Sequence, residues 1–531
     1  MTKRCNRVQG VRSCIAVLLF AAGDIVLSSW SASAATVIRG PYLQVSTPQS
    51  ISIRWRTDEP TGSVVFFGPA PEFLYGVSGT VEPTTSHEVT LRGLNPNTRY
   101  YYSVGSLVES LAQGADYHFT TSPLPGTKKP TRIWAIGDCG TTGFGYLGYD
   151  SRQTQVRDAY SSLSASRSTD VWLALGDNAY LSGTDKEYQT QFFDIYPALL
   201  RNTPLWPTLG NHETYAPQKG GGLAYFDIFT LPKDGEAGGV ASGSENYYSF
   251  DFGSIHFVSL DSELSSRNGR APMLSWLQAD LAANTNEWLI AYWHSPPYSK
   301  GSHDSDNFTG YDGNLLWMRE AVVPILESYG VDLVLCGHSH IYERSFLLHG
   351  HYGLSTTLDP AMIQDEGSGR EEDTGAYRKP DSGEAANQGA VYVVAGSSGW
   401  ATYRVDPVQH PALFMSELEA GSMVIDIDGD RLDARFLRDT GAIDDHFTIL
   451  KGLQADPFRL TRVQVRNRQI AASWRSKPGI LYQLEYTASL EAPDWQPVGE
   501  PVTASGATTH LTQPAREDPV GFYRVTELED Q

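Results

Sequence analysis

The stretch "LVLCGHSHIYERS", Leu333 to Ser345, opens as an apolar run suited to a buried strand. It then breaks at Gly337 into two histidines one residue apart, His338 and His340. An H-x-H pair alone has many ordinary uses in loops. Its weight depends on whether other strands of the chain stop at side chains of the same chemical kind.

Four more do. "AIGDCG" ends at Asp138, "ALGDNAY" offers Asp177 and Tyr180, "TLGNHET" carries Asn211, His212 and Glu213, and "AYWHSPPYS" presents His294. In an open α/β sheet the carboxyl ends of the strands form the crevice where ligands bind. Glycines before Asp138, Asp177, Asn211 and His338 let the backbone turn sharply there. Ionisable groups at the mouths of apolar strands are costly unless something neutralises or coordinates them. Each fragment has a plain alternative: Asp177 as a turn cap, Asn211 as a turn residue, His294 as a satisfied buried histidine. All of them in one domain, each after an apolar run, form a ligand set.

The donors are oxygen and imidazole with no thiolate cluster, a set suited to Fe, Mn or Zn. Seven donors exceed the needs of one tetrahedral ion and suit two ions sharing a carboxylate, about 3.5–4 Å apart, able to hold the attacking and leaving oxygens of an in-line displacement. The one-residue spacing of His338 and His340 lets each ring serve a different ion.

The order GDxG, GDxxY, GNHE, a strand ending in histidine, then GHxHxYERS resembles the purple acid phosphatase branch of the calcineurin-like metallophosphoesterases, over about residues 131–450. GNHE and GHxH mark the superfamily, whereas Tyr180 in "GDNAY" is the mark of the purple branch, in which a phenolate binds ferric iron and gives the colour. The resemblance implies that Asp138, Tyr180 and His340 bind Fe(III), that Asn211, His294 and His338 bind a divalent ion (Fe, Zn or Mn), and that Asp177 bridges them. It makes His212 a substrate-phosphate contact or leaving-group acid. His303 in "SPPYSKGSHDSD" stands where a further catalytic histidine often follows, although the loop differs and Asp304 occupies the place of a second one. Glu213, Glu343 and Arg344 are expected to support the ligands. Phosphate monoester hydrolysis by metal hydroxide is the implied reaction, on small-molecule phosphate esters. A phosphodiesterase or nucleotide hydrolase with the same centre, or an inactive secreted binding protein, are the alternatives.

The rest of the chain sets the frame. Its 531 residues exceed a single core, and 40% hydrophobic with 11% aromatic content fits a folded, strand-rich protein. A net charge of -21 disfavours non-specific binding to nucleic acid or anionic lipid. Lys3, Arg4, Arg7 and Arg12 precede "CIAVLLFAAGDIVL" and "SASAA", the pattern of an export signal cleaved near Ala34, which places the chain in the periplasm or outside the cell. No later run is long and apolar enough to span a bilayer. Cys139 and Cys336 read as buried thiols, with a single bridge as the alternative.

Residues 35–122 alternate strand and turn: "SISIRWRT" and "GSVVFFG" read as two strands, and Trp55 with Tyr100 after "LNPNT" resembles a fibronectin type III sandwich with its tyrosine corner. Residues 130–450 alternate apolar strands with helical segments, the second of them kinked or restarted at Pro324, and residues 351–388 read as a long loop. Residues 453–531 return to short strands. With the resemblance, the expected architecture is α/β: a four-layer α-β-β-α sandwich of mixed sheets, flanked by an N-terminal and a small C-terminal β-sandwich.

Overall fold

The computed structural model describes residues 35–142, 150–217, 221–267, 271–380, 386–402, 409–452, 460–466, 468–476, 479–490, 493–506, 508–516 and 521–528. The leader expected to direct export lies outside them.

"WLIAYW" shows why the central strands read as unbroken apolar runs. Along Trp288–Trp293, Trp288, Ile290 and Tyr292 point into one core, while Leu289, Ala291 and Trp293 point into another. Leu333 and Leu335 against Val334 and Cys336 divide the same way. Such strands are apolar on both faces because something covers both. On one side is a second sheet. On the other lie the helix Pro272–Ala283 and the segment Gly313–Ser328, through Leu277, Leu281, Met318 and Val322. Trp288 is fully buried between the sheets, its indole donating to the Gly429 carbonyl in a turn of the facing sheet; at about 200 Å², such a ring contributes about 5 kcal/mol of transfer free energy.

Each of the two sheets has seven strands and is mixed. In the first, Thr131–Ile136, Val171–Ala174 and Leu205–Pro207 run parallel at one edge, extended by the antiparallel strands Gly421–Asp428, Arg431–Arg438 and Ile443–Lys451. In the second, Ile255–Ser259, Trp288–Trp293, Leu333–Cys336 and Val391–Ala395 are parallel, with Tyr248–Phe252, Tyr342–Ser345 and Leu413–Glu417 antiparallel beside them. The helix Gln153–Ser164 covers the first sheet, Tyr160 stacking on Trp134 at 4.3 Å. The expected four layers are therefore present.

The helix around Pro324 restarts as its sequence predicts. Gly313–Trp317 passes through a wide π turn, Met318–Val322, before Val323–Ser328 begins with proline in its first turn, where a missing N–H is harmless. Residues 351–388 are less of a loop than their composition suggests. Tyr377–Lys379 joins the edge of the first sheet, anchored by the buried Lys379 ammonium, which lies 2.7 Å from Asp332.

In the N-terminal domain the two strands read from sequence are one, Ser50–Gly68, because the hairpin with Gly76–Arg92 continues through irregular register between Arg56 and Ser63. Trp55 is buried, and the Tyr100 hydroxyl accepts the Asn95 N–H at 3.0 Å, the expected tyrosine corner. The C-terminal segment forms a three-stranded and a four-stranded sheet around Trp474, Tyr482 and Leu484. Cys139 and Cys336 are free and buried.

Candidate metal centre

Three parallel strands of the first sheet and two of the second end at the same place. Asp138, Asp177 with Tyr180, and Asn211 with His212 follow the former, while His294 and His338 with His340 follow the latter. Three of these residues take the left-handed backbone conformation although none is glycine: Asp138 at φ 55°, Asp177 at 52° and His338 at 67°. Each follows a glycine, and each costs on the order of 1 kcal/mol of strain that the surrounding fold must hold in place. Space explains two of the glycines. A Cβ on Gly176 would sit 2.6 Å from His294 Nδ1, and one on Gly210 would sit 2.2 Å from the Asp177 nitrogen.

The side chains form two lobes. In one, the Tyr180 hydroxyl donates to Asp138 Oδ1 at 3.0 Å and lies 3.3 Å from His340 Nε2, which is itself 3.3 Å from Asp138 Oδ1. In the other, Asn211 Oδ1 lies 3.0 Å from both His294 Nε2 and His338 Nδ1, and those two nitrogens are 3.2 Å apart. Asp177 Oδ2 joins the lobes, 2.9 Å from the Tyr180 hydroxyl and 3.5 Å from His294 Nε2. All seven residues named as candidate ligands are thus brought together, in two groups joined by Asp177.

The chemistry of this cluster fits cations. His294 Nδ1 donates to the Leu175 carbonyl at 2.9 Å, so in the neutral ring Nε2 presents a lone pair to the lone pairs of Asn211 Oδ1. Those two atoms repel unless positive charge, a proton or a metal cation, lies between them. Asp138 and Asp177 are buried, and no lysine or arginine among the described residues pairs with either. Ligand atoms of Asp138, Asp177 and His294 lie within 4.8 Å of one another. Burial lowers the His294 imidazole, but the Asp177 and Asp138 carboxylates outweigh it and raise the group well above its ordinary value. A field that favours a proton there also favours a metal cation. His338 Nε2, buried and without a hydrogen-bond partner among the described residues, marks an imidazole whose placement serves its other nitrogen.

Around the ligands, supporting contacts are specific. Glu213 accepts backbone N–H groups from Asp177 at 3.0 Å, Asn178 at 2.7 Å and Gly210 at 2.7 Å, and so welds two ligand loops together. Burial, then the Asp177 charge, push its carboxyl up to about 7. Glu343 accepts the Lys300 N–H and Arg344 pairs with buried Asp445, supporting the neighbouring loop and strand. His212 donates Nδ1–H to the Leu181 carbonyl at 2.6 Å, leaving Nε2 3.8 Å from Asp177 Oδ2 with 21% of the side chain exposed. His303 stacks on His338 at 3.8 Å and donates Nδ1–H to Asp312 at 2.7 Å. Asp304 turns away to the Lys300 ammonium, 2.6 Å distant.

Two neighbours escaped the sequence reading. Asp312 orients His303. Trp400 packs against Tyr180 at 5.0 Å and His340 at 4.2 Å. Its signal was available: "AVYVVAGSSGW" is one more apolar strand, Val391–Ala395, ending at the same crevice.

The calcineurin-like phosphoesterase family model matches residues 131–342, and that of the purple acid phosphatase N-terminal domain matches residues 39–121. Over 331 residues, 56% of this chain and 57% of the relative, the chain is 31% identical to purple acid phosphatase 15 of Arabidopsis thaliana. It is 28% identical to acid phosphatase type 7 of Homo sapiens over 57% of this chain and 69% of that protein. It spans 57%, 63% and 53% of the length of three plant purple acid phosphatases that it matches. The purple acid phosphatase from yellow lupin seeds shares the fold at a TM-score of 0.61 and 20% identity, over 79% of this chain and 74% of that one. PhoD shares it at 0.54 and 15%, over 79% and 91%.

Proposed function

Because the chain carries a calcineurin-like phosphoesterase domain preceded by a purple acid phosphatase N-terminal domain, we propose that it is an exported acid phosphatase hydrolysing small phosphate monoesters at a two-cation centre. The observation that carries this reading is the placement of Asp177 Oδ2 between two complete donor lobes, 2.9 Å from Tyr180 and 3.5 Å from His294. Asp138, Tyr180 and His340 would hold ferric iron, and Asn211, His294 and His338 a divalent Fe, Zn or Mn, with Asp177 shared. When bound, such a pair supplies Lewis acidity toward phosphate oxygens and a hydroxide nucleophile near or below neutral pH.

The chain's own residues do the rest. With its carboxylates alone the pocket would repel a phosphate dianion; cations held by those carboxylates would reverse the local sign, which reconciles an anionic substrate with a net charge of -21. His212 keeps its Nδ1 proton on Leu181, so Nε2 is the nitrogen turned to the crevice. Proton delivery from that atom to a departing alkoxide is worth about 10²–10⁴-fold in rate. His303, fixed through Nδ1 by Asp312, offers Nε2 to a phosphate oxygen.

Hydrolysis of nitrophenyl phosphate and bis-nitrophenyl phosphate by the metal-loaded protein tests this reading. Faster monoester turnover supports it. Faster diester turnover makes the protein a phosphodiesterase, and turnover of neither sinks the assignment.

A further inference from the structure

A chain of contacts leads from the N-terminal β domain to the site. Arg39, 1% exposed at its side chain, donates to Asp185 Oδ1 at 2.9 Å and to the Asp185 carbonyl at 3.0 Å. Its Nε donates to Gln189 Oε1 at 2.6 Å, and its guanidinium lies 4.7 Å above Phe193. Arg56 adds bonds to both Asp185 oxygens at 2.7 and 2.8 Å. Every one of these contacts lands on residues 185–193.

That segment in turn holds the backbone just before it. Thr184 and Glu187 form a capping box, and Glu187 Oε1 accepts the Leu181 N–H at 2.7 Å. Gln191 Oε1 accepts the Tyr180 N–H at 2.7 Å. Tyr180 carries the phenol of one donor lobe, and the Leu181 carbonyl fixes His212 Nδ1. The geometry points to Arg39 and Arg56 as positioning residues: through Asp185 and Gln189 the N-terminal domain sets the tautomer and aim of His212 and the placement of Tyr180. This rests on the phosphatase reading for its catalytic consequence, but not for its structural one.

The same interface supplies its own control. Arg54 also crosses it, donating to the Asp227 carbonyl at 2.7 Å and to Thr230 at 3.1 Å, with Glu88 as its ion-pair partner, so its polar contacts among the described residues go to elements other than 180–193. The test compares Arg39→Met/Arg56→Met with Arg54→Met in the full chain. Asp185→Asn is a second way to cut the link, from its 44% exposed end, should the double variant fail to fold. In the metal-free protein, amide hydrogen exchange at residues 180–193 should quicken about tenfold or more in the double variant or Asp185→Asn and stay unchanged in Arg54→Met. Equal effects would reduce the arginines to interdomain glue and overturn the inference. In the metal-loaded protein, kcat on an unactivated alkyl phosphate should fall about tenfold with KM within about twofold, and nitrophenyl phosphate should suffer far less. Added to His212→Ala, the same substitutions should cost less than about twofold. A tenfold loss that persists without His212 would overturn the route through Leu181. A wild type without phosphatase activity would refute the function instead, and the exchange data would still decide the positioning.

Discussion

The Tyr180 hydroxyl oxygen lies 2.9 Å from Asp177 Oδ2, and that same carboxylate oxygen lies 3.5 Å from His294 Nε2, just past the end of the strand Trp288–Trp293 of the opposite sheet. One carboxylate oxygen thus belongs to both donor lobes. Burial raises the Asp177 carboxyl, yet the His294 and His212 imidazoles outweigh it and hold the group below its ordinary value.

Tyr180 gives the centre a visible signature. With iron bound, a phenolate ligand should absorb visible light, and Tyr180→Phe should bleach the protein. The check is a spectrum of both proteins at matched iron content. An unchanged band in the variant would remove Tyr180 from the metal.

Glu213 offers a test of the scaffold separate from the ligands. Glu213→Ala orphans three buried backbone N–H groups, those of Asp177, Asn178 and Gly210, at about 1–3 kcal/mol each. Metal affinity should fall about 10–100-fold, as for other residues that orient ligands, and thermal unfolding should come earlier. Glu213→Gln, which keeps its oxygen acceptor, should fall between. Metal titration of the variants decides it, and wild-type affinity in Glu213→Ala would contradict the welding of the two loops.

Much of this site is legible in the amino-acid sequence, for a local reason: each ligand ends an apolar strand, so its neighbours along the chain announce it. Which strands lie side by side is not legible, because pairing is long-range; Tyr342–Ser345 follows Leu333–Cys336 in sequence yet sits beyond Val391–Ala395 in the sheet. The clamp between Arg39 and Asp185 spans 146 residues and leaves no trace in either local sequence. Glu213 shows in the sequence as a support but not what it supports, since its partners are backbone groups with no residue type. Asp304 stands in a place where the resemblance suggests a histidine, and only its pairing with Lys300 shows that it serves the loop.

His256 contributes a stability that fades at alkaline pH. It donates from Nδ1 to Asp251 at 2.7 Å and from Nε2 to Asp280 at 2.8 Å. Burial lowers its imidazole, but the two carboxylates raise it to about 9 from an ordinary 6.5. The folded state therefore holds a proton that the unfolded chain releases. The stabilisation is complete below about pH 6.5 and is lost as pH rises through about 9, a change on the order of 3 kcal/mol. Urea unfolding should show wild type losing about 3 kcal/mol more than His256→Asn across this range. Equal losses would contradict it.

Elemental analysis of the purified full chain beside Asp177→Asn asks whether the seven donors enclose a cation pair. The account predicts two metal ions per wild-type chain, one of them iron, and loss of the pair together with turnover in the variant. An active wild type holding one ion or none, or a variant that keeps both, would contradict it.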